Sequence, residues 1–359
     1  MIATSPARSP ASAPALTVKV MMVDDSLVTR TAIGRIFDGA ADIELVCQAG
    51  SLDEAFAYLS AQRTDIILLD HEMPGRKGLD ALPHMLDAAR DAHVIMLSSY
   101  CQRGSSTAVT ALSLGASDAL AKPTSGEETH DFAEQLLWRV RRLAAARQSR
   151  RAEEAPVTLR LVPPDFAVEC IGIGASTGGI HALAGLLQAM PPRPDVPILV
   201  TQHLPSSFIP YYARQVARMC TLPVSIAREG QALCPNHIYI APGEVSLSCL
   251  REGGTARISL IERRDPLTSA RPSVNHMFAG MAHCFGAGAM GVVLTGIGRD
   301  GTAGGRAIAS AGGVLIAQDQ ASSTVWGMPG SLAREGLASA CLAPADIPRY
   351  MATYCGVAV

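Results

Sequence analysis

The chain has 359 residues, 48% of them hydrophobic and 17% charged, with a formal net charge of −2. At roughly 100 to 200 residues per domain this length predicts two domains, each able to bury a core. A mean hydropathy of +0.21 is high, but no run approaches the ~18 consecutive apolar residues of a spanning helix, so no direct membrane insertion is expected. Only three lysines occur, Lys19, Lys77 and Lys122, and the near-neutral balance argues against a nucleic-acid-binding surface. Nine cysteines with no C-x-x-C pair and no zinc-type spacing read as reduced thiols, which predicts a cytoplasmic protein.

Residues 1–17 are rich in Ala, Ser and Pro and lack the apolar core of a secretory signal, so a disordered tail is expected. From Val18 apolar runs at 18–23, 43–49, 66–70 and 94–98 alternate with amphipathic stretches at 30–37 and 53–61. This is the grammar of βα units on a parallel sheet. Residues 128–148 place Phe132, Leu136, Leu137, Val140 and Leu143 near one helical face, as a closing helix of a first domain at 18–147 would. The stretch 148–167 carries charges and prolines without a sustained period and reads as a linker. A second series spans 168–355, with strands expected at 168–174, 196–201, 290–295 and 314–317. Within it, 237–241, 245–249 and 256–261 read as short antiparallel strands. The predicted fold class is α/β: two doubly wound parallel-sheet domains, the second with a short antiparallel element.

Functional side chains of open parallel sheets gather beyond the carboxyl ends of the strands. In the first domain Asp24 and Asp25 end one apolar run, Asp70 ends another, Ser98 ends a third, and Lys122 precedes Pro123. Singly, a strand-end Asp is more often a turn or helix cap, and a single Lys a solvated side chain. Together, three converging carboxylates call for a divalent cation, and a hydroxyl and an ammonium beside them suit a phosphoryl group. The joint pattern DD, LDxEMPG, LSS and KP over residues 18–143 resembles the flavodoxin-like receiver domain of two-component response regulators. The resemblance implies Asp70 as phosphoacceptor, Asp24, Asp25 and Asp70 with the Glu72 backbone as Mg²⁺ ligands, and Ser98 and Lys122 as phosphoryl contacts. Ala119 departs from it, since receivers commonly carry Tyr or Phe three residues before the Lys.

The second domain opens with a strand running into Gly174-Ala175-Ser176-Thr177-Gly178-Gly179. Three readings apply. The first takes Ser176 as the cap of the next helix. A dinucleotide loop fits poorly, because G-x-G-x-x-G is missed and the next strand ends in Gln202-His203 instead of an acid. A nucleophilic serine satisfies G-x-S-x-G, with His203, 27 residues on, and Asp300 both following strands that end on the same sheet edge. The order Ser, His, Asp excludes the α/β-hydrolase fold and leaves the chemistry open. His181, His237, His276 and His283 read as packing or surface residues, with the RPSVNHMF block around His276 unexplained.

IGASTGG, TQHLPSSF, RPSVNHMF, LTGIGRDG and QDQASSTVWGMP, in that order, resemble the catalytic domain of the CheB family of chemotaxis protein-glutamate methylesterases and glutamine deamidases. The resemblance implies Ser176 as nucleophile, His203 as general base, Asp300 as its orienting carboxylate, and the backbone amides of Thr177 and Ile297 as oxyanion donors. It implies no cofactor for the ester chemistry. The expected partners are methyl-accepting chemoreceptors as substrate and a CheA-type histidine kinase as phosphodonor. Asn275 and Gln320 stand where the family usually has Asp and Glu; neither is a triad position, so activity is expected to survive, with a change in rim electrostatics or substrate preference. A phosphorylation-gated DNA-binding regulator would need a basic helix-turn-helix after the linker, whereas residues 168–359 hold 13 arginines, no lysine and 11 acids. A silent docking protein would not need the complete Ser, His and Asp set. The first 167 residues hold 17 basic and 21 acidic side chains, so the halves carry opposite net charge.

Overall fold

A computed structural model describes residues 17–98, 106–123, 128–151, 157–190, 193–263, 266–267 and 270–355. The expected tail falls outside this range except for Thr17. In the first domain β1 (Val18–Val23), α1 (Leu27–Asp38), β2 (Ile43–Ala49), α2 (Leu52–Ala61), β3 (Ile66–Asp70), α3 (Gly78–Ala89), β4 (His93–Ser98), α4 (Ser106–Ser113), β5 (Asp118–Ala121) and α5 (Glu128–Arg151) follow in order. The five strands form a parallel sheet in the order β2-β1-β3-β4-β5. Every residue of β3 and β4 is buried, because helices cover both sheet faces, and this is why these strands read as continuous apolar runs. Val20, Ile33, Phe37, Leu136 and Val140 fill one side, and Met21, Val23, Ala55, Leu82 and Met85 the other.

Local chemistry starts the helices where the sequence turns polar. Ser26 Oγ accepts the Thr29 N–H at 3.2 Å ahead of α1, and Ser51 Oγ accepts the Glu54 N–H at 3.2 Å ahead of α2. Glu54 reaches back to the Gly50 N–H at 2.7 Å, close to a reciprocal capping box. Helix α5 continues to Arg151, past the expected end at 148 and into the stretch read as linker, since Gln148, Arg150 and Arg151 favour helix. Farther along that stretch Arg160 is anchored: its guanidinium donates to the carbonyls of Gly313 and Ala309, both at 2.8 Å.

The second domain contains β6 (Cys170–Ala175), α6 (Gly179–Gln188), β7 (Ile198–Gln202), α7 (Ile209–Met219), β8 (Val224–Ile226), β9 (Ile238–Ile240), β10 (Ser246–Glu252), β11 (Thr255–Ile261), α8 (Val274–Phe285), β12 (Ala289–Val293), α9 (Thr302–Ser310), β13 (Val314–Gln318), α10 (Met328–Arg334), β14 (Ala340–Leu342) and α11 (Ile347–Ala352). Seven strands make a parallel sheet ordered β14-β13-β12-β6-β7-β9-β8. The expected antiparallel element shrinks to β10 and β11, joined through Gly253 and Gly254 at φ +55° and +83°, a two-residue turn of the kind that pairs antiparallel neighbours. The segment 237–241 corrects the expectation. It holds β9, which pairs parallel to both β7 and β8 and is buried throughout, so it belongs to the main sheet.

The two domains touch through α4 and α6–α7. Val109 is buried among Ile180, Leu183 and Tyr212, His181 Nδ1 lies 3.0 Å from the Ser113 carbonyl, and Gln215 Nε2 donates to Ser113 Oγ at 3.1 Å.

The hairpin lies along α8, and at Gly280 the helix packs against the backbone of β10. A Cβ there would meet Ser248 Oγ and lie 2.9 Å from the Cys249 nitrogen. Gly280→Val is therefore expected to destabilise the second domain by about 2–3 kcal/mol through overpacking, read as a fall in its thermal midpoint of roughly 4–10 °C.

Candidate functional site

In the larger sheet β6 lies between β12 and β7, so the chain's direction of travel across the sheet reverses there, and a crevice opens at the strands' carboxyl ends. Ser176 follows β6. Its N–H donates to the Thr295 carbonyl at 3.0 Å, and its carbonyl accepts from the Gly179 N–H and Gln202 Nε2, both at 2.8 Å. The N-cap of α6 is Gly178, left-handed at φ +76° and without a side-chain cap bond. A side chain at Gly178 would run into Thr324, so glycine is required there. The helix-cap reading of Ser176 is thereby removed, and its hydroxyl has no hydrogen-bond partner among the described residues.

His203 follows β7, and Asp300 lies in the loop after β12. His203 Nε2 is 2.8 Å from Asp300 Oδ2, which leaves Nδ1 as the ring nitrogen free for proton transfer. Asp300 is 2% exposed. Its Oδ2 also accepts the Val274 N–H at 2.7 Å, and its Oδ1 accepts the N–H groups of Asn275 and Gly301, both at 3.0 Å, and the Ser273 hydroxyl at 3.2 Å. The first turn of α8 therefore points its unpaired N–H groups and the positive end of its dipole at this carboxylate. That is the purpose of the RPSVNHMF block, which sequence reasoning missed. The signal available was Ser273 directly before an apolar helical run, an N-cap pattern. The Ser273 hydroxyl oxygen indeed accepts the His276 N–H at 3.4 Å.

Asn275 is not a rim residue, as had been expected, but is 7% exposed behind Asp300. Its Oδ1 accepts the N–H groups of Gly301 and Gly304 at 2.9 and 3.0 Å, fixing the loop that carries Asp300. An amide does this without placing a second carboxylate beside the first.

Ser176, His203 and Asp300 line one cleft of about 530 Å³ with Thr177 and Ile297. The backbone N–H groups of Thr177 and Ile297 are unpaired among the described residues. Arg271 and Arg299 stand on the rim. Two further wall residues, Trp138 and Arg142, come from α5 of the first domain, with the Arg142 guanidinium 4.3 Å from the Trp138 ring centroid. No pattern along the chain signals this contribution, because it depends on how the domains dock.

At the other sheet edge Asp24, Asp25 and Asp70 bring carboxylate oxygens within 4.8 Å of one another. Asp24 and Asp70 are buried and Asp25 is exposed. Lys122 Nζ lies 2.7 Å from Asp24 and 2.8 Å from Asp70. Burial pushes the Asp70 carboxyl above its ordinary range, against the opposing pull of Lys122 and of the Glu72 backbone N–H. For Lys122 burial works to lower the pKa, but its bonds to Asp24 and Asp70 raise it on balance. Ser98, the last residue of β4, is buried beside this group. Ala119 on β5 instead faces a second cavity of about 270 Å³ between the domains, shared with Trp138, Ser176 and His203.

Residues 171–351 match the family model described as CheB methylesterase, and residues 20–134 match the response regulator receiver domain. A protein-glutamate methylesterase/protein-glutamine glutaminase of Azospirillum brasilense is 36% identical, aligned over 93% of this chain and 92% of its own. A relative of the same description from Caulobacter vibrioides is 35% identical over 94% and 98%. The crystal structure of the Thermotoga maritima CheB methylesterase catalytic domain superposes with a TM-score of 0.50 at 32% identity, covering 52% of this chain and 98% of that one.

The raised Asp70 pKa has a stability consequence of definite sign. Ionising Asp70 costs more in the folded protein than in the unfolded chain, so the penalty is absent below the ordinary carboxylate pKa and complete above the raised folded value. Asp70→Asn is expected to raise the first domain's thermal midpoint at pH 7, with a gain over wild type that shrinks as pH falls through that window. Melting curves of both proteins across pH 3–8 check it.

Proposed function

The chain belongs to the CheB methylesterase family, and from that premise we propose that its cleft hydrolyses γ-methyl esters of receptor glutamates, and γ-amides of receptor glutamines, through Ser176, His203 and Asp300. The observation that carries this reading is the 2.8 Å bond from His203 to a buried Asp300, in the cleft that also holds a Ser176 hydroxyl unpaired among the described residues. Asp300 fixes the tautomer with hydrogen on Nε2, so Nδ1 takes the Ser176 proton as the hydroxyl attacks the ester carbonyl. The negative oxygen that develops is met by the N–H groups of Thr177 and Ile297. The proton on Nδ1 then leaves with methanol, and water, deprotonated at the same nitrogen, releases glutamate from the acyl-serine. With an amide substrate the leaving group is ammonia. Methyl-accepting chemoreceptors fit this chemistry as substrates, in signalling adaptation.

The receiver supplies control. Asp24, Asp25 and Asp70 present the hard oxygen donors that Mg²⁺ requires, with the Glu72 carbonyl as a further ligand. The bound ion would neutralise charge as a phosphoryl group is transferred to Asp70 from a CheA-type histidine kinase. Lys122 and Ser98 would contact the phosphoryl oxygens. Trp138 and Arg142 stand across the esterase mouth in this state, so the unphosphorylated receiver restricts entry. The phosphoryl charge on Asp70 biases that contact toward release.

Ser176→Ala is expected to lower methanol release from methylated receptor by at least ~10³-fold with no change in thermal midpoint, and Asp300→Asn to lower it by ~10² to 10⁴. Full activity of Ser176→Ala would refute the nucleophile. Trp138→Ala is expected to raise the rate without phosphodonor several-fold and to narrow the activation by acetyl phosphate, whereas an unchanged basal rate would remove Trp138 from the gate.

A further inference from the structure

The candidate oxyanion donors are backbone N–H groups, and a backbone N–H is aimed only by holding the rest of its peptide. In a trans peptide the carbonyl and the N–H point in opposite directions. The Thr177 N–H therefore shares a plane with the Ser176 carbonyl, and the Ile297 N–H with the Gly296 carbonyl. Both carbonyls are held. That of Gly296 accepts the N–H groups of Gly327 and Met328, at 3.1 and 2.8 Å, where the QDQASSTVWGMP segment runs into α10. That of Ser176 accepts the Gly179 N–H and Gln202 Nε2, both at 2.8 Å. Three of these four donors belong to the main chain, and only Gln202 acts through its side chain.

Gln202 ends β7 next to His203 and is 3% exposed. The simplest reading is that its amide satisfies a buried carbonyl. That carbonyl already has a partner, because Gly179 closes the turn 176–179 onto it, with Gly178 at φ +76° and ψ −5° as the third residue of a type II turn. The amide is also poorly served in return. Gln202 Oε1 is buried without a hydrogen-bond partner among the described residues, which is destabilising, and reversing the amide would set oxygen against oxygen at Ser176. Gly179 makes room for the side chain, since a Cβ there would stand 2.6 Å from Oε1. On the far side of Thr177, its own carbonyl lies 3.0 Å from Thr295 Oγ1, so the peptides before and after Thr177 are both tied down. A buried group that costs stability and duplicates an existing bond, beside the nucleophile, points to work other than folding.

We infer that Gln202 is a positioning residue for the oxyanion: by holding the Ser176 carbonyl it aims the Thr177 N–H at the oxygen that turns negative as Ser176 attacks. The inference rests on the proposed roles of Ser176 and Thr177. A donor set in place beforehand stabilises charge that exists only in the transition state, and a misplacement of about 1 Å can forfeit ~10² in rate. Gln202 therefore acts on turnover and not on substrate affinity. Its amide bonds to the Ser176 backbone and not to His203 or Asp300, so the titration of the base is left as it is.

The test compares the full-length wild type with Gln202→Met, which keeps the length of the side chain and cannot donate. With methylated receptor as substrate, kcat is expected to fall by ~10 to 10², with KM within about twofold. The pH at which the rate is half its maximum, which reports His203, is expected to stay in place. Methylboronic acid, which adds to a serine hydroxyl as a tetrahedral anion, is expected to bind more weakly by a factor comparable to the fall in kcat. Because the change also removes an unpaired buried oxygen, the thermal midpoint is expected to hold or rise, and Gln202→Leu is the second donor-less variant should Gln202→Met not fold. An unchanged kcat in a folded variant would overturn the inference, as would a rise in KM that accounts for the whole loss, or a displaced pH limb. Ser176→Ala, assayed alongside, separates the two levels. If it is inactive while Gln202→Met is fully active, the positioning role alone fails; if it is itself fully active, the nucleophile fails as well.

Discussion

The buried carboxylate of Asp300 is the interaction on which the second domain's working edge depends. Withdrawing an ionised carboxyl from water costs several kcal/mol even after relaxation, and one contact with His203 would not offset that. Five donors converge on it from the His203 ring, Ser273, Val274, Asn275 and Gly301. Charge-assisted bonds contribute about 1.5–3 kcal/mol each, and a helix N-terminus adds up to ~2 kcal/mol. With these terms the burial becomes favourable, but only if the start of α8, the loop after β12 and the end of β7 all arrive together. The carboxylate therefore both orients a histidine and fixes three chain segments relative to one another. The charge acts here as a structural pin.

What the sequence revealed, and what it hid, follows from that arrangement. Ser176, His203, Asp24, Asp70 and Lys122 were legible because each sits at the carboxyl end of a parallel strand, where the strand pattern itself says which edge the side chain reaches. The donors around Asp300 were not, since three of them are backbone N–H groups whose partner is 25 or 26 residues away or in the same loop. A backbone donor carries no residue-type signature. The direction of β9 was hidden for a related reason: three buried residues, Ile238 to Ile240, are equally apolar in either orientation, and the neighbours β7 and β8 decide. Asn275 looked like a surface substitution because chain position does not reveal depth.

The interface between the domains is the part no single-domain pattern could show. The acidic first half and the slightly basic second half are complementary in net charge, but the contacts observed are mostly short-range and specific. Val109 enters the core of the second domain, Val325 packs with the core of the first, and Ser113 is bonded from two helices. The buried parts of this contact give it affinity, and long-range charge adds mainly to rate and orientation. A contact that mixes a few buried apolar side chains with hydrogen bonds suits domains that separate and return.

A route from Asp70 to the cleft through β5 would pass Ala119. On the proposed reading of the receiver, Lys122 answers to charge at Asp70, and Lys122 directly follows β5, whose Asp118 is paired with Arg139 of α5 at 3.0 Å. Arg139 is next in sequence to Trp138, which lines the esterase mouth. An aromatic side chain at position 119 would transmit a change by turning its ring within the space beside β5. Alanine has no such rotamer, and that space is instead part of the 270 Å³ cavity bounded by Trp138, Ser176 and His203. Motion at Lys122 is thus left to travel through the backbone of β5 and the Asp118–Arg139 pair. The empty volume beside Trp138 also lowers the cost of moving its ring, because fewer packed atoms resist it. On that reading the moving aromatic belongs to α5 and stands at the mouth it would control, so switch and gate would be a single side chain.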